Sequence, residues 1–371
     1  MRVSRELRDF TTFAGKGQHK RIKAALKKNP AFIHEPHPML EAARMGQAAV
    51  IHTLLENGAD VNISSKSHEI FRPLHCAISR RAGIIKSRGH LEVVQTILDA
   101  DVDVGTRAIW YLATPLATAA ITGQQDMIDL ILPYVGDLDI FSACVTGKID
   151  QVRKLIEDEP DKVHQIDEYN NMQPLHYCAA SSLGVGNTGM AAQLVAIVDL
   201  LVKQGADPNA IAKINRDFYP ITWAHYSGNI SVGKTLVRYG GDSITGLKIA
   251  IDHKDAVWLK QLLETGSDIN QRDEMGDTPL HGKLRSGTSL SQIMFLLANH
   301  ADLNLKSELE GWTALHLAAF FGRSDHIIQL LIEHGADVNE RDTHGKTPLT
   351  VALSAKRLGA AKILKHYGVT K

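Results

Sequence analysis

Apolar residues recur along this chain in clusters with the spacing of an α-helix, and several clusters end in nearly the same polar turn. In the clearest one, Ile327, Ile328, Leu330 and Leu331 are followed by Gly335, a residue suited to ending a helix. A related nine-residue ending occurs five times, at 54–62, 201–209, 262–270, 296–304 and 331–339, and the last three begin 34 and 35 residues apart. A period of about 33 residues indicates a solenoid, in which each unit buries its apolar face by stacking on its neighbours.

A shorter helix is predicted before each of these clusters. Thr278 suits the N-cap, where its hydroxyl accepts from a free backbone N–H, and Pro279 suits the first helical position. Leu280 should turn inward, and the small Ala318 and Ala319 should let neighbouring first helices approach closely. The unit is therefore a pair of helices joined to the next pair by a tight polar turn.

The segments at the helix starts, DTPLH at 277–281, WTALH at 312–316 and KTPL at 346–349, resemble the ankyrin repeat family. The stretch 311–342 matches the family pattern almost throughout. The resemblance implies an all-α solenoid of helix-turn-helix units with hairpin loops. It also implies that His75, His176, His281 and His316 make hydrogen bonds between units and have no catalytic role.

The length of 371 residues leaves room for about eleven such units, some of them degenerate. We divide the chain into an N-terminal stack (1–138), a middle stack (139–243) and a C-terminal stack of the best-preserved repeats (244–371). The units at 139–168 and 244–272 lack the helix-starting Pro, which predicts weakened caps. Insertions near 80–89 and 182–190 interrupt the period, and insertions in solenoids map to loops on one face.

Charge changes this picture only locally. The chain has 41 Lys plus Arg and 41 Asp plus Glu, so net charge favours neither nucleic acid nor membrane as a partner. Residues 1–30 nevertheless carry a formal charge of +7. A solvated outer face of a capping unit explains this stretch, with docking to nucleic acid or an acidic membrane as the alternative.

Cysteine usage and hydropathy bear on the compartment. Cys76, Cys144 and Cys178 are scattered and odd in number, which argues against a disulfide framework and for a reducing environment. No secretory apolar region opens the chain, and no run of 18 apolar residues occurs. We expect a soluble, cytoplasmic protein, placed in the host cytoplasm if it is a translocated effector.

Two glycine-rich segments match phosphate-binding patterns. Residues 184–189 fit G-x-G-x-x-G, and residues 228–235 fit G-x-x-x-x-G-K-[ST]. In the repeat register the first follows a helix instead of a strand, and Lys234 lies one turn inside a second helix. The backbone N–H groups there are engaged in the helix and cannot surround a phosphate. A nucleotide-binding enzyme or switch remains the alternative hypothesis, and we expect no cofactor, no metal and no catalytic residues.

The resemblance also implies a partner surface, because ankyrin proteins usually bind through a concave groove lined by hairpin tips and first helices. Aromatic, Met and Arg side chains, which are typical of interface hot spots, occupy many of the corresponding positions. The candidate partner-binding residues are Trp110, Tyr111, Tyr169, Met172, Arg216, Phe218, Tyr226, Met275, Arg285, Leu309, Trp312, Phe320 and Phe321. We therefore predict a non-catalytic, monomeric scaffold, adaptor or inhibitor, or a microbial effector that engages host proteins. Its partner would be another protein; no nucleic acid and no membrane span are expected.

Overall fold

The computed structural model describes residues 4–65, 72–78, 88–107, 113–213, 217–264, 266–287 and 289–368. Contacts between Cα atoms divide the chain into two compact units, Met1–Gly241 and Asp242–Lys371. Both are built from pairs of α-helices, as the repeat predicts. The division into three stacks at 138/139 and 243/244 stays a prediction.

The first unit contains fourteen of the described helices. They are α1 (Arg5–Gly15), α2 (His19–Lys28), α3 (Pro36–Arg44), α4 (Ala48–Glu56), α5 (Pro73–Ile78), α6 (Arg88–Leu98), α7 (Pro115–Ile121), α8 (Gln125–Ile131), α9 (Ile140–Val145), α10 (Ile149–Asp158), α11 (Pro174–Ala180), α12 (Thr188–Lys203), α13 (Pro220–Ser227) and α14 (Ile230–Arg238). Short 3-10 helices cover Pro30–His34, Leu132–Tyr134 and Pro160–His164. Among the described residues, the two-residue strands β1 (Ala212–Lys213) and β2 (Asp217–Phe218) pair in antiparallel orientation.

The second unit contains eight of the described helices. They are α15 (Ser243–His253), α16 (Ala256–Glu264), α17 (Pro279–Ser286), α18 (Leu290–Ala298), α19 (Ala314–Phe321), α20 (Asp325–Glu333), α21 (Pro348–Ser354) and α22 (Leu358–Gly368). Within it, the first helices α17, α19 and α21 contact one another in order, and so do the second helices α18, α20 and α22. The pair α19 and α20 is thus sandwiched between two similar pairs, which is how a repeat with one apolar face obtains a core.

Small residues allow the first helices to pack closely. Ala318 and Ala319 in α19 are fully buried, and so are Ala42 and Ala43 in α3. The second helices contribute the larger side chains, among them the buried Ile327, Ile328 and Leu331 of α20. The predicted division of the core between small and large residues is confirmed.

The helix starts follow the predicted cap chemistry, with one correction. The Thr278 hydroxyl accepts from the N–H of His281 at 3.4 Å, and Pro279 begins α17. The units that lack Pro were expected to have weakened caps, and this was wrong for the N-caps of their first helices. Asp139 caps α9 by accepting from Ser142 N at 2.6 Å, and Asp242 caps α15 by accepting from the N–H of Thr245 at 3.0 Å. A carboxylate is as good an N-cap acceptor as a hydroxyl, so the Pro is dispensable.

The recurring histidines link each unit to the next loop. Nε2 of His75 lies 3.1 Å from Ala113 O. Nε2 of His176 lies 3.1 Å from Ala210 O, and Nε2 of His316 lies 3.0 Å from Lys346 O. Nδ1 of His176 accepts from the backbone N–H of Gln173, and Nδ1 of His316 accepts from that of Thr313. In His176 and His316 both ring nitrogens are therefore used by the scaffold, and His75 is bonded through Nε2, which confirms the structural role that the family resemblance implied.

Candidate partner-binding surface

The thirteen candidate residues fall into three groups in the structure. Trp110, Tyr111 and Arg216 lie outside the described residues. Met172 and Phe218 are buried, with only 1% and 5% of their surface exposed. The remaining eight are at least partly accessible, and they are Tyr169, Tyr226, Met275, Arg285, Leu309, Trp312, Phe320 and Phe321.

Met172 and Phe218 are not available to a partner, which corrects the expectation for these two side chains. Met172 ends a loop that is closed by the hydrogen bond from Asp167 N to Met172 O, and its side chain turns inward. Phe218 stacks on the buried Trp223 with ring centroids 5.4 Å apart. Both positions therefore contribute to the core of the first unit.

Two exposed tyrosines mark the first unit. Tyr169 and Tyr226 are 54% and 57% exposed. The guanidinium of Arg107 lies 4.7 Å from the centre of the Tyr169 ring, a cation–π contact. Tyr226 contacts the ring of Phe218 at 6.3 Å. Each tyrosine thus presents one accessible face while its other contacts hold it in place.

A buried polar cluster lies next to Tyr169 and contacts its ring through Arg107. Sequence reasoning did not find this cluster. Arg107 Nη1 donates to Asp167 Oδ2 at 2.7 Å, and the Tyr177 hydroxyl donates to the same carboxylate oxygen. Asn170 Nδ2 donates to Tyr177 Oη at 2.8 Å. Burial, together with the bond to Asp167, raises the pKa of Tyr177 to about 12. Arg107 and Asp167 are 60 residues apart, so no local pattern reveals their pairing.

Three aromatic side chains of the second unit are in mutual contact. The rings of Trp312 and Phe320 lie 4.9 Å apart in a tilted arrangement, and Phe320 meets Phe321 edge-on at 5.1 Å. The guanidinium of Arg323 lies 5.3 Å from the centre of the Phe321 ring. Such contacts hold aromatic rings in defined positions and leave the exposed faces ready for contact.

A depression of about 250 Å³ opens beside Trp312, between the loop 342–346 and the first helices α19 and α21. Aromatic, aliphatic and charged side chains share its wall. It is lined by Glu310, Trp312, Phe320, Asp342, His344, Lys346, Val351, Ser354 and Ala355. We call this depression the Trp312 groove.

Hydrogen bonds fix the orientation of Trp312. Its indole Nε1–H donates to Asp342 Oδ2 at 3.1 Å, while Asp342 Oδ1 accepts from the N–H groups of His344 and Lys346. Burial disfavours the ionised carboxylate, but these N–H groups prevail and hold the pKa of Asp342 below its usual range. The charged form of Asp342 therefore keeps both the loop and the indole in place.

Arg285 is engaged within the protein. Its Nε donates to Asp277 Oδ2 at 2.5 Å, and its Nη2 donates to Glu310 Oε2 at 2.7 Å. It thereby ties the loop 273–277 to the loop 307–312. Burial opposes ionisation of Glu310, but the Arg285 guanidinium prevails and lowers the pKa of that carboxyl. Arg285 shapes the surface, because its donors are already used.

The tips of these two loops are exposed and apolar. Met275 and Leu309 are 63% and 69% exposed. The loops lie side by side, since a Cβ placed on Gly276 would come within 2.5 Å of the Glu308 side chain. The second unit therefore combines a row of apolar loop tips with the Trp312 groove.

The two glycine motifs lie in ordinary parts of the repeat. Residues 184–187 form a turn, and Asn187 then caps α12 by accepting from Met190 N at 3.1 Å. Gly233 N donates to Asn229 O at 3.0 Å inside the helical ladder of α14, which contains Lys234. The backbone arrangement expected from the repeat register is confirmed at both segments.

Among the residues that the structure describes, no group of three or more His, Cys, Asp or Glu side chains is arranged to hold a metal ion. Within the same residues, every helix is too short or too polar to cross a membrane.

Comparisons with known proteins agree with the architecture. The family model "Ankyrin repeats (3 copies)" matches residues 284–371, and the model "Ankyrin repeat" matches residues 37–66 and 170–213. The chain is 28% identical to SH3 and multiple ankyrin repeat domains protein 2 from Homo sapiens over 186 residues, which is 48% of this chain and 10% of that protein. It is also 28% identical to B-cell lymphoma 3 protein from Homo sapiens over 233 residues, 60% of this chain and 48% of that protein.

The chain thus spans less than half of the length of either relative. Among solved structures, the ankyrin repeat domain of Bcl-3 matches with a TM-score of 0.46 and 26% identity, over 62% of this chain and 99% of that domain.

Proposed function

This chain belongs to the ankyrin repeat family, and from that premise we propose that it is a non-catalytic interaction protein that binds another protein through the Trp312 groove. Ankyrin repeats indicate protein–protein interaction. The observation that carries the choice of surface is the depression of about 250 Å³ beside Trp312 and Phe320.

The geometry of the groove supports this proposal. Trp312 is held by Asp342 and by the Phe320 ring, so it loses little conformational freedom when a ligand covers it. Preformed apolar clefts with a few fixed polar groups are the usual form of a binding site. Exposed Tyr169 and Tyr226 are additional proposed contacts, on the first unit.

We further propose that the protein acts inside cells as a monomer, in the role of an adaptor, an inhibitor or a microbial effector acting on host proteins. All three cysteines are buried and lie outside any disulfide, as expected in a reducing compartment.

Affinity capture followed by mass spectrometry tests the groove. We expect Trp312→Ala combined with Phe320→Ala to abolish capture of the partner, because two aromatic anchors at a hot spot are worth several kcal/mol, roughly 2 or more each. The matched control is Val257→Ala with Leu358→Ala, which truncates exposed apolar residues on the second helices α16 and α22. It should capture the same partner as the unmodified chain.

Thermal unfolding is measured in parallel, since Trp312 also packs within its own unit. The proposal fails if the groove variant keeps full capture, or if capture is lost only in step with a collapse of stability. The alternative of a nucleotide-dependent switch makes a different prediction: calorimetry would detect micromolar ATP binding, and Lys234→Ala would abolish it.

A further inference from the structure

Two successive loops in the second unit present the same pair of side chains at their tips. In the loop 273–277 the exposed Glu274 precedes the exposed Met275, and in the loop 307–312 the exposed Glu308 precedes the exposed Leu309. A carboxylate beside a large apolar group is thus displayed twice, on neighbouring loops. Stacking does not require either feature, because these four side chains lie on the outside.

Acidic side chains outnumber basic ones at the tips of these loops, while Arg272 and Arg341 at the loop bases donate to Gly276 O and Gly345 O. The loops 273–277, 307–312 and 342–346 together contain six carboxylates and one lysine, Lys346. Four of the carboxylates have structural partners: Asp273 pairs with Lys248, Asp277 and Glu310 pair with Arg285, and Asp342 accepts backbone N–H groups. For Glu274 and Glu308, no cation among the described residues lies within ion-pair distance. These two charges are available to an incoming ligand.

The two acidic tips are also close together. A Cβ built on Gly276 would meet Glu308 Cβ and Cγ at 2.5 Å, so the Glu308 side chain lies directly over the neighbouring loop. The Trp312 groove begins immediately after the second tip, since Glu310 and Trp312 line it. A single extended segment can therefore contact both tips and place one side chain in the groove.

From this arrangement we propose that the partner presents an extended segment in which Lys or Arg side chains stand next to bulky apolar ones. The basic groups would lie beside Glu274 and Glu308, the apolar groups against Met275 and Leu309, and one apolar anchor in the Trp312 groove. This inference rests on the proposed function and names the chemistry of the partner at the same surface. Charge complementarity across an exposed rim mainly sets specificity and association rate, while the buried anchor sets affinity.

Selection from a random-peptide display library tests this inference on the full chain. We expect the selected peptides to be enriched in Lys or Arg adjacent to Leu, Ile, Phe or Met, relative to the starting library. The best synthetic peptide, titrated by fluorescence anisotropy, should lose about tenfold in affinity with Glu274→Lys plus Glu308→Lys, because two exposed ion pairs become repulsive contacts. Its affinity should also fall with added salt.

A matched control separates local contact from the change in net charge. Glu264→Lys plus Glu333→Lys alters the charge equally at exposed positions that end α16 and α20. This control should change the peptide affinity by no more than about twofold. A single exposed ion pair at the upper end of its usual range would change it by more than that. If the reversed loops fold poorly by thermal unfolding, Glu274→Gln plus Glu308→Gln tests the same charges with less disruption.

The outcomes distinguish the two proposals. The basic-segment inference is overturned if the selected peptides are purely apolar, or if they show no enrichment over those selected on an unrelated protein. It is also overturned if the peptide binds the loop variant and the control variant equally. If the selected peptides bind Trp312→Ala/Phe320→Ala as tightly as the unmodified chain, the groove itself is wrong.

Discussion

At the level of single residues, His176 shows how the scaffold depends on protonation. Nδ1 accepts from Gln173 N, so a proton there would remove an acceptor inside the core. Burial outweighs the favourable backbone hydrogen bonds and lowers the pKa of His176 to about 4, from 6.5. Burial likewise lowers the pKa of His75 to about 4 and shifts His281 and His316 in the same direction.

The sign of the resulting pH dependence follows from these shifts. Between pH 6.5 and about 4, His176 binds a proton in the unfolded chain but not in the folded chain. The free energy of unfolding therefore falls as the pH drops through that window. For His176 the loss is about 3 kcal/mol when complete. Urea unfolding at several pH values measures it. His176→Gln should make the curve flatter; equal slopes for the variant and the unmodified protein would contradict the prediction.

At the level of elements, the insertion before α12 has a packing reason for one of its glycines. A Cβ on Gly184 would lie 3.1 Å from Ala191 Cα and 3.4 Å from Leu194 Cδ1, whereas a Cβ on Gly189 would meet only Asn187 Oδ1 at 3.6 Å. Gly184 thus lets the turn pack against the helix that follows it. This contact accounts for Gly184 without any ligand.

We therefore expect opposite results from two Gly→Ala substitutions in one segment. Gly184→Ala should destabilise the protein by about 1–3 kcal/mol, because the added methyl overpacks the contact with α12. Gly189→Ala, in the exposed first turn of α12, should be neutral or stabilise by up to about 1 kcal/mol, since Ala restricts the unfolded chain. Chemical denaturation of the two variants measures their free energies of unfolding. The prediction fails if Gly189→Ala lowers this free energy more than Gly184→Ala does.

At the level of the whole molecule, a net charge of zero conceals local fields of opposite sign. Arg5, Arg8, Lys16, Lys20, Arg21, Lys23, Lys27 and Lys28 are exposed on α1 and α2 and in the turn between them, while the loops 273–277 and 307–312 are acidic. Of these cations, Lys23 lies 3.9 Å from Glu56, and both side chains are about half exposed. The basic face is therefore largely solvated.

This charge distribution separates the two remaining hypotheses for the N-terminal unit. A solvated face predicts that RNA binds weakly and that binding disappears at physiological salt, since phosphate contacts are lost steeply as salt rises. The measurement is fluorescence anisotropy with a labelled RNA at increasing salt, using Lys20→Glu with Lys27→Glu as the comparison. Tight binding that survives physiological salt and is abolished by the two substitutions would establish docking to nucleic acid instead.

The sequence by itself determined the repeat and its local chemistry. Thr278 and Pro279 predicted a helix start, Ala318 and Ala319 a close helix contact, and the recurring histidines a scaffold role; the structure confirms each of them. These features are local or repeat at a fixed period, so one sequence contains the information. The same register correctly located Lys234 within a helix, away from any phosphate loop.

Only the tertiary structure decided which candidate side chains are accessible. Met172 and Phe218 occupy positions where the repeat tolerates many residues, yet both side chains are buried in the folded unit, Phe218 against the ring of Trp223. Arg107 meets Asp167 across 60 residues, and Arg285 meets Glu310 across 25. Burial and pairing depend on what the adjacent units place opposite a residue. A periodic pattern therefore establishes the position of a side chain in its repeat. Whether that side chain is exposed depends on the packing of the neighbouring units.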